Sequence, residues 1–105
     1  MKLKYPRKIE ILSTIFKVKY DKKEWGGYVS FENREIMIGT ASLAVGDNLN
    51  VWDNICHEIF ETVTHITNTS HLDKGTTWDY KFVMDHKQFQ TNISIFSSIV
   101  SKFIE

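Results

Sequence analysis

The stretch "VWDNICHEIFETVTHIT", residues 51–67, decides how the rest of this chain is interpreted. Apolar residues recur in it every three or four positions, which is the spacing of a helix with one buried stripe. These positions are Trp52, Ile55, Cys56, Ile59, Phe60, Val63 and Ile66. Asn48 and Asn50 precede the pattern and are candidate caps for its first turn. The sequence therefore predicts a helix that packs one face against a core.

The polar side of this helix contains His57 and Glu61, which are four residues apart. Side chains at this spacing lie about 5–6 Å apart at Cβ, so both can reach one ion. Glu58 lies beside them, rotated by about 100° around the helix axis. In H-E-x-x-H zinc hydrolases the two spaced side chains bind zinc, and the intervening glutamate accepts a proton from the water at the metal. Here "HEIFE" has a carboxylate at the position of the second histidine.

A third ligand is required, because two histidines and one glutamate form a known catalytic zinc set. His65 is eight residues from His57, which is about 12 Å of helix and too far for a shared ion. His71 lies in a polar loop. His86 opens a second predicted helix, and its periodicity turns it toward the packed side. We therefore favour His86 as the third ligand, while His71 stays a candidate.

A solvated polar face is the competing interpretation of the same residues. His57, Glu58, Glu61 and His65 all lie opposite the apolar stripe, where polar side chains need no metal ion. Spacing alone does not distinguish a metal site from such a face.

The residues before this helix have the pattern of strands. "KIEIL" and "IFKVKY" alternate apolar and polar residues around a turn at Ser13 and Thr14, which predicts a hairpin. "YVSF" and "EIMIG" flank residues 32–34 and predict a second hairpin. We therefore expect a small antiparallel sheet.

The C-terminal part predicts a second helix that begins at Asp85. This aspartate can cap the helix while Gln88 reaches back as in a capping box, and metal binding by Asp85 is the less economical alternative. The predicted buried stripe of this helix contains Phe89, Ile93, Phe96, Val100 and Phe103. Before it, "NTSHLDKGT", residues 68–76, predicts a surface loop, and "TWDYKFVM", residues 77–84, predicts a short strand. For Trp25, Trp78 and Tyr80, core packing is favoured over a substrate groove.

The composition indicates a single folded domain over residues 1–105. The chain is 42% hydrophobic and 13% aromatic, which is typical of a globular protein. Basic and acidic residues number 13 each, so the net charge does not favour nucleic acid or an anionic membrane. The basic N-terminus is interpreted as a solvated strand edge rather than a binding patch; its cations are Lys2, Lys4, Arg7 and Lys8.

The single cysteine and the absence of a long apolar run predict the cellular compartment of the protein. Cys56 cannot form an internal disulfide, and its position on the apolar stripe favours an inert thiol. No segment has the length and hydrophobicity of a membrane span or a signal peptide. We therefore expect a cytoplasmic protein.

Four segments together resemble a known family. "TIFKVKY", "REIMIG", "WDNICHEIFETV" and "MDHKQFQTNISIFSSIVSKF" are similar to segments of the small zincin-like metallopeptidases common in phages and prophages, and the resemblance extends from about residue 8 to residue 103. It implies His57, Glu61 and His86 as metal ligands and Glu58 as general base.

The expected fold is α+β and zincin-like: a small antiparallel sheet of two hairpins, followed by a metal-site helix and a C-terminal helix. The expected function is a zinc-dependent hydrolase, a peptidase that acts on an unidentified peptide or protein, although other divalent ions suit the same ligands. The alternative is a non-catalytic phage or prophage interaction protein on this scaffold that binds a host or virion protein. Neither expectation includes nucleic acid or a membrane.

Overall fold

The computed structural model describes residues 2–72 and 80–105, with Leu72 and Tyr80 described by their backbone alone. Their elements in chain order are β1 (Lys8–Ile11), β2 (Thr14–Asp21), β3 (Gly27–Ser30), β4 (Glu35–Gly39), α1 (Asn48–Ile66), β5 (Ser70–Leu72), β6 (Tyr80–Phe82) and α2 (His86–Val100). Single turns of 3-10 helix at Ala41–Val45 and Ser101–Phe103 precede α1 and follow α2. The α+β class predicted from the sequence is confirmed.

The main sheet has four strands in the order β1-β2-β4-β3. Both predicted hairpins are present, since β1 pairs antiparallel with β2 and β3 pairs antiparallel with β4. The strands β2 and β4 are parallel, with Val18 beside Ile36, so the expectation of a purely antiparallel sheet is wrong. The alternation of apolar residues identifies strands but not their neighbours, and here β4 inserts between β2 and β3.

The helix α1 covers one face of this sheet, and its stripe fills the core as predicted. Ile55, Ile59 and Val63 are fully buried against the apolar face of the sheet. The cap differs from the prediction: Asp47 is the N-cap and accepts a hydrogen bond from the backbone N–H of Asn50 at 3.1 Å. The predicted caps lie inside the helix, because the helix begins three residues before the apolar pattern starts.

The predicted capping box of α2 is present. The Asp85 side chain accepts from the Gln88 backbone at 2.8 Å, and the Gln88 side chain accepts from the Asp85 backbone at 2.9 Å. The predicted buried stripe is wrong in its first half, because Phe89 and Ile93 are 48% and 38% exposed. Among the apolar residues of this segment, those in the hydrophobic core come from the C-terminal half of α2 and the turn after it.

A small sheet of β5 and β6 lies between the helices, and Val83 extends it with a backbone hydrogen bond to Thr69. The loop predicted over residues 68–76 therefore contains a strand at its start. Of the strand predicted over residues 77–84, residues 80–82 form β6, while residues 77–79, which include Trp78, lie outside the described residues. Across residues 2–72 and 80–105, no helix combines the length and hydrophobicity needed to cross a membrane.

Candidate metal centre

One cluster in the described part of the chain has the composition of a metal site. His57, Glu58 and Glu61 of α1 each offer a ligand atom, and these atoms lie within 4.8 Å of one another. The Nδ1 atom of His57 is 3.1 Å from Oε1 of Glu58, and its Nε2 atom is 3.4 Å from Oε1 of Glu61. The imidazole therefore lies between two carboxylates, as the one-residue and four-residue spacings allow.

The three side chains differ sharply in exposure. The side chain of His57 is 67% exposed, that of Glu61 is 17% exposed and that of Glu58 only 2%. The interpretation of these residues as a solvated face is therefore wrong for Glu58. A carboxylate is this deeply buried only when it is paired or has a chemical role.

The first residue of β3 covers Glu58. A Cβ atom at Gly27 would lie 3.2 Å from Cγ of Glu58 and 2.6 Å from the carbonyl oxygen of Met37. A side chain at this position would have to displace backbone, so glycine allows the strand to lie directly on the carboxylate. The packing of β3 against α1 therefore removes Glu58 from water.

Burial sets the proton affinities of both carboxylates. The pKa of Glu58 is raised, first by desolvation and then by the nearby Glu61, while its hydrogen bond from His57 opposes the rise. Desolvation likewise raises the pKa of Glu61, and His57 again opposes it. The ring of His57 therefore contacts both carboxylates and opposes the rise in the pKa of each.

Asn54, which the sequence pattern did not single out, hydrogen-bonds the rim of the site, meaning the backbone at Trp25 and Gly39. The Asn54 amide, one helical turn before Glu58, donates to the carbonyl oxygens of Trp25 at 2.8 Å and of Gly39 at 3.1 Å. The Gly39 N–H donates to the Gly26 carbonyl at 2.7 Å. Trp25 is thus held at the rim with 56% of its surface exposed, so the expectation that it packs in the core is wrong. The Gly26-Gly27 pair is the sequence signal for this close approach of backbone to α1.

The structure does not bring His86 to this cluster. His86 is exposed, so its predicted orientation toward the packed side is wrong. The next residues, Lys87 and Gln88, line the same small cavity as Thr67 at the C-terminal end of α1. Since His57 precedes Thr67 by ten residues, about 15 Å of helix separates the two levels. Ligand bonds of about 2 Å do not bridge such a gap.

The other candidates from the sequence also lie apart from the cluster. His65 stacks on Phe31, with the ring centroids 3.6 Å apart, and His71 is exposed on β5. Asp85 serves as the cap of α2. Cys56 is partly buried, and its pKa is raised first by desolvation and then by Asp53, as expected for an unreactive thiol.

Comparison with known proteins adds no relative to this picture: no family model, no curated protein and no solved structure matches the chain. The likeness to zincin-like peptidases therefore rests on the motifs alone.

Proposed function

We propose that His57 and Glu61 hold a divalent metal ion, zinc being the first candidate, and that the centre makes the protein a hydrolase of peptides. The observation that supports this most strongly is the imidazole of His57, whose Nδ1 atom meets the buried Glu58 and whose Nε2 atom faces Glu61. A carboxylate on the far nitrogen fixes the ring tautomer and is the usual arrangement around metal-binding histidines.

The donors fit such an ion. An imidazole nitrogen and carboxylate oxygens suit zinc, and manganese or iron also accept them. The cluster offers three protein donors at most, so coordination positions stay open for water and substrate, as catalytic sites require. A bound ion would polarise a substrate carbonyl and lower the pKa of a water molecule beside it.

Glu58 has two roles in this proposal. Its carboxylate accepts the Nδ1–H of His57 and so directs the Nε2 lone pair toward the ion. Burial also raises its pKa toward the range in which a carboxylate works as a general base near neutral pH. The raised pKa supports the role of proton acceptor implied by the family resemblance.

The neighbouring strand supports a peptide as the substrate. β3 is an edge strand of the main sheet that begins at Gly27, which covers Glu58, and the residue after its end, Phe31, stacks on His65 of α1. An extended peptide could pair with such an edge, which would carry its backbone past the cluster. The exposed Trp25 ring beside this edge would contact a substrate side chain.

Turnover of a mixture of fluorogenic peptides tests the proposal. The protein should cleave peptides when supplied with zinc and should stop when a chelator is added. Glu58→Gln should lower kcat by about 100-fold or more while zinc still binds, because the variant loses proton transfer but keeps an oxygen acceptor for His57. Cleavage that survives both the chelator and Glu58→Gln would contradict it.

The position of His86 favours a second candidate, a metal-binding interaction protein without catalysis. Without a third ligand from α2, one helix supplies every donor found among residues 2–72 and 80–105. Such a protein would use the same edge of β3 to bind a host or virion protein, and Glu58→Gln would leave its biological effect intact. Either function fits a cytoplasmic location, where the lone Cys56 thiol stays reduced.

A further inference from the structure

A second surface feature lies beside β1 and β2, outside the metal centre. It is an open groove of about 790 Å³ whose walls contain four cations and no acidic residue. Its lining residues are Tyr5, Arg7, Lys8, Lys17, Val18, Lys19 and Tyr20. A groove of this size and charge is suited to an anionic ligand.

The sheet register brings its lysines together. Lys8 lies directly opposite Lys17 across the β1–β2 pair, an arrangement that destabilises a sheet because like charges face each other. Lys17 and Lys19 alternate with the buried Phe16 and Val18, so their side chains lie on the sheet face away from α1. The lysines and the metal centre are therefore on opposite sides of the sheet.

Glu35 of β4 offsets part of this charge, since it lies beside Lys17 in the β2–β4 register. Lys19 forms an ion pair with Glu35 at 3.1 Å. Arg7, Lys8 and Lys17 form no ion pair within residues 2–72 and 80–105. In a chain with 13 basic and 13 acidic residues, three unpaired cations in one groove are a local concentration of positive charge.

The groove also has an aromatic wall, which lies on the other side of β2 from Lys17 and Lys19, because Tyr20 alternates in step with the buried Val18 and packs against the core. Tyr5 is 46% exposed and meets Tyr20 edge-to-face, with ring centroids 5.2 Å apart. The Tyr20 hydroxyl donates to the Pro6 carbonyl at 2.6 Å, which ties the two rings to the start of the chain. An exposed ring held in this way is a surface on which a flat ligand can stack.

We propose that this groove binds single-stranded nucleic acid, with backbone phosphates on Arg7, Lys8 and Lys17 and a base stacked on Tyr5. Proteins that bind single strands combine these two features, a basic groove and exposed aromatic rings. An acidic peptide would use the cations but would leave the ring without a base to stack on. The proposal is independent of the metal centre. It revises the expectation, drawn from the neutral net charge, that the protein does not bind nucleic acid.

Fluorescence anisotropy with labelled oligonucleotides of about 12 residues, one of DNA and one of RNA, tests it. The intact chain should bind at low salt. The slope of log K against log salt should be about −2, because three phosphate contacts on a single strand each contribute about −0.7. Inorganic polyphosphate and vesicles with anionic lipid serve as competing anions.

Three variants and one control identify the surface. Lys8→Glu and Lys17→Gln should each weaken binding about fivefold or more and make the salt slope shallower, whereas Lys87→Glu on the exposed side of α2 should change neither. Tyr5→Ala should weaken binding of the oligonucleotide about fivefold or more and leave polyphosphate binding unchanged. Lys8→Glu should also keep or raise Tm, because it replaces a like-charged pair with an opposite one.

The proposal is overturned if neither oligonucleotide binds at low salt, or if Lys87→Glu weakens binding as much as Lys8→Glu. An unaltered affinity in Tyr5→Ala also overturns it, since the groove would then be a general anion surface. Binding to anionic vesicles without binding to the oligonucleotides would assign the cations to a membrane instead. Circular dichroism shows whether each variant is folded. If Lys8→Glu does not fold, Lys17→Gln still tests the same surface.

Discussion

Glu58 has a position on α1 that the sequence predicts and a burial that depends on the tertiary structure. The spacing in "HEIFE" predicts correctly that His57 and Glu61 are neighbours, because that relation is local to one helix. The burial of Glu58 could not be predicted in the same way. It depends on Gly27, a residue 31 positions away in sequence that lies on the carboxylate through the pairing of β3 with β4.

We predict that Glu58→Gln stabilises the metal-free protein at neutral pH while it removes activity. Burial raises the pKa of this carboxyl above its unfolded value, so the native state favours the protonated form. Its stabilising contribution is full below the ordinary carboxyl pKa of about 4.3 and is lost as pH rises through the raised value. At pH 7 the variant should therefore gain about 1 kcal/mol over the natural protein, and the gain should vanish near pH 4.

Urea unfolding in the presence of a chelator, repeated across this pH range, measures the effect. Glu32→Gln is the matched control, because Glu32 is an exposed carboxylate in the turn between β3 and β4. An advantage of Glu58→Gln that is equal at pH 4 and pH 7 would contradict the account. Equal unfolding curves for Glu58→Gln and Glu32→Gln at pH 7 would also contradict it.

A second prediction at this scale concerns two glycines near the rim of the site. A Cβ atom at Gly39 would lie 2.1 Å from the Gly26 carbonyl oxygen and 2.5 Å from that of Glu24, whereas one at Gly26 meets nothing within 4 Å. Gly39→Ala should therefore cost about 3 kcal/mol or more, while Gly26→Ala should cost less than about 1 kcal/mol. Comparable unfolding midpoints for the two variants would show that this close approach is absent.

At the scale of the elements, the sequence predicts most helices and strands but not how they pair and pack. Alternating residues identify all four strands of the main sheet, and the capping box identifies the start of α2. The parallel contact of β2 with β4 leaves no trace in either strand's own pattern. The position of His86 is missed for the same reason, because α2 places its first turn beside the end of α1.

The apolar stripe of α2 gives a prediction at this scale. Periodicity treats Phe89 and Phe103 alike, but Phe103 is fully buried and Phe89 is 48% exposed. Phe103→Ala should therefore cost about 3–5 kcal/mol, through lost burial and the cavity left behind, and Phe89→Ala about 0.5 kcal/mol. Guanidinium unfolding of the pair measures this, and similar losses would indicate that the first half of α2 is covered in solution.

At the scale of the whole molecule, the main sheet separates two surfaces with different chemistry. The acidic cluster and His57 lie on α1 beside the edge strand β3, while Lys17 and Lys19 lie on the opposite face of the sheet. Charge counts taken over the whole chain conceal this separation, because 13 basic and 13 acidic residues cancel. The overall charge count therefore does not predict where charged surfaces lie.

This separation predicts that the two surfaces act independently. Mutations more than about 10 Å apart with no shared partner have nearly additive effects. His57→Ala should therefore leave oligonucleotide affinity within about twofold of the natural protein, and Lys8→Glu should leave zinc affinity within the same range. A tenfold change in either crossed measurement would mean that the surfaces are coupled through the sheet.

The central claim is that one divalent ion is held by α1 alone, and calorimetric titration of the metal-free protein with zinc tests it most directly. One ion should bind per chain, with a loss of about tenfold or more in affinity for His57→Ala and for Glu61→Ala and no change for His86→Ala. Zinc affinity that is unaffected by His57→Ala, or that is lost in His86→Ala, would contradict it.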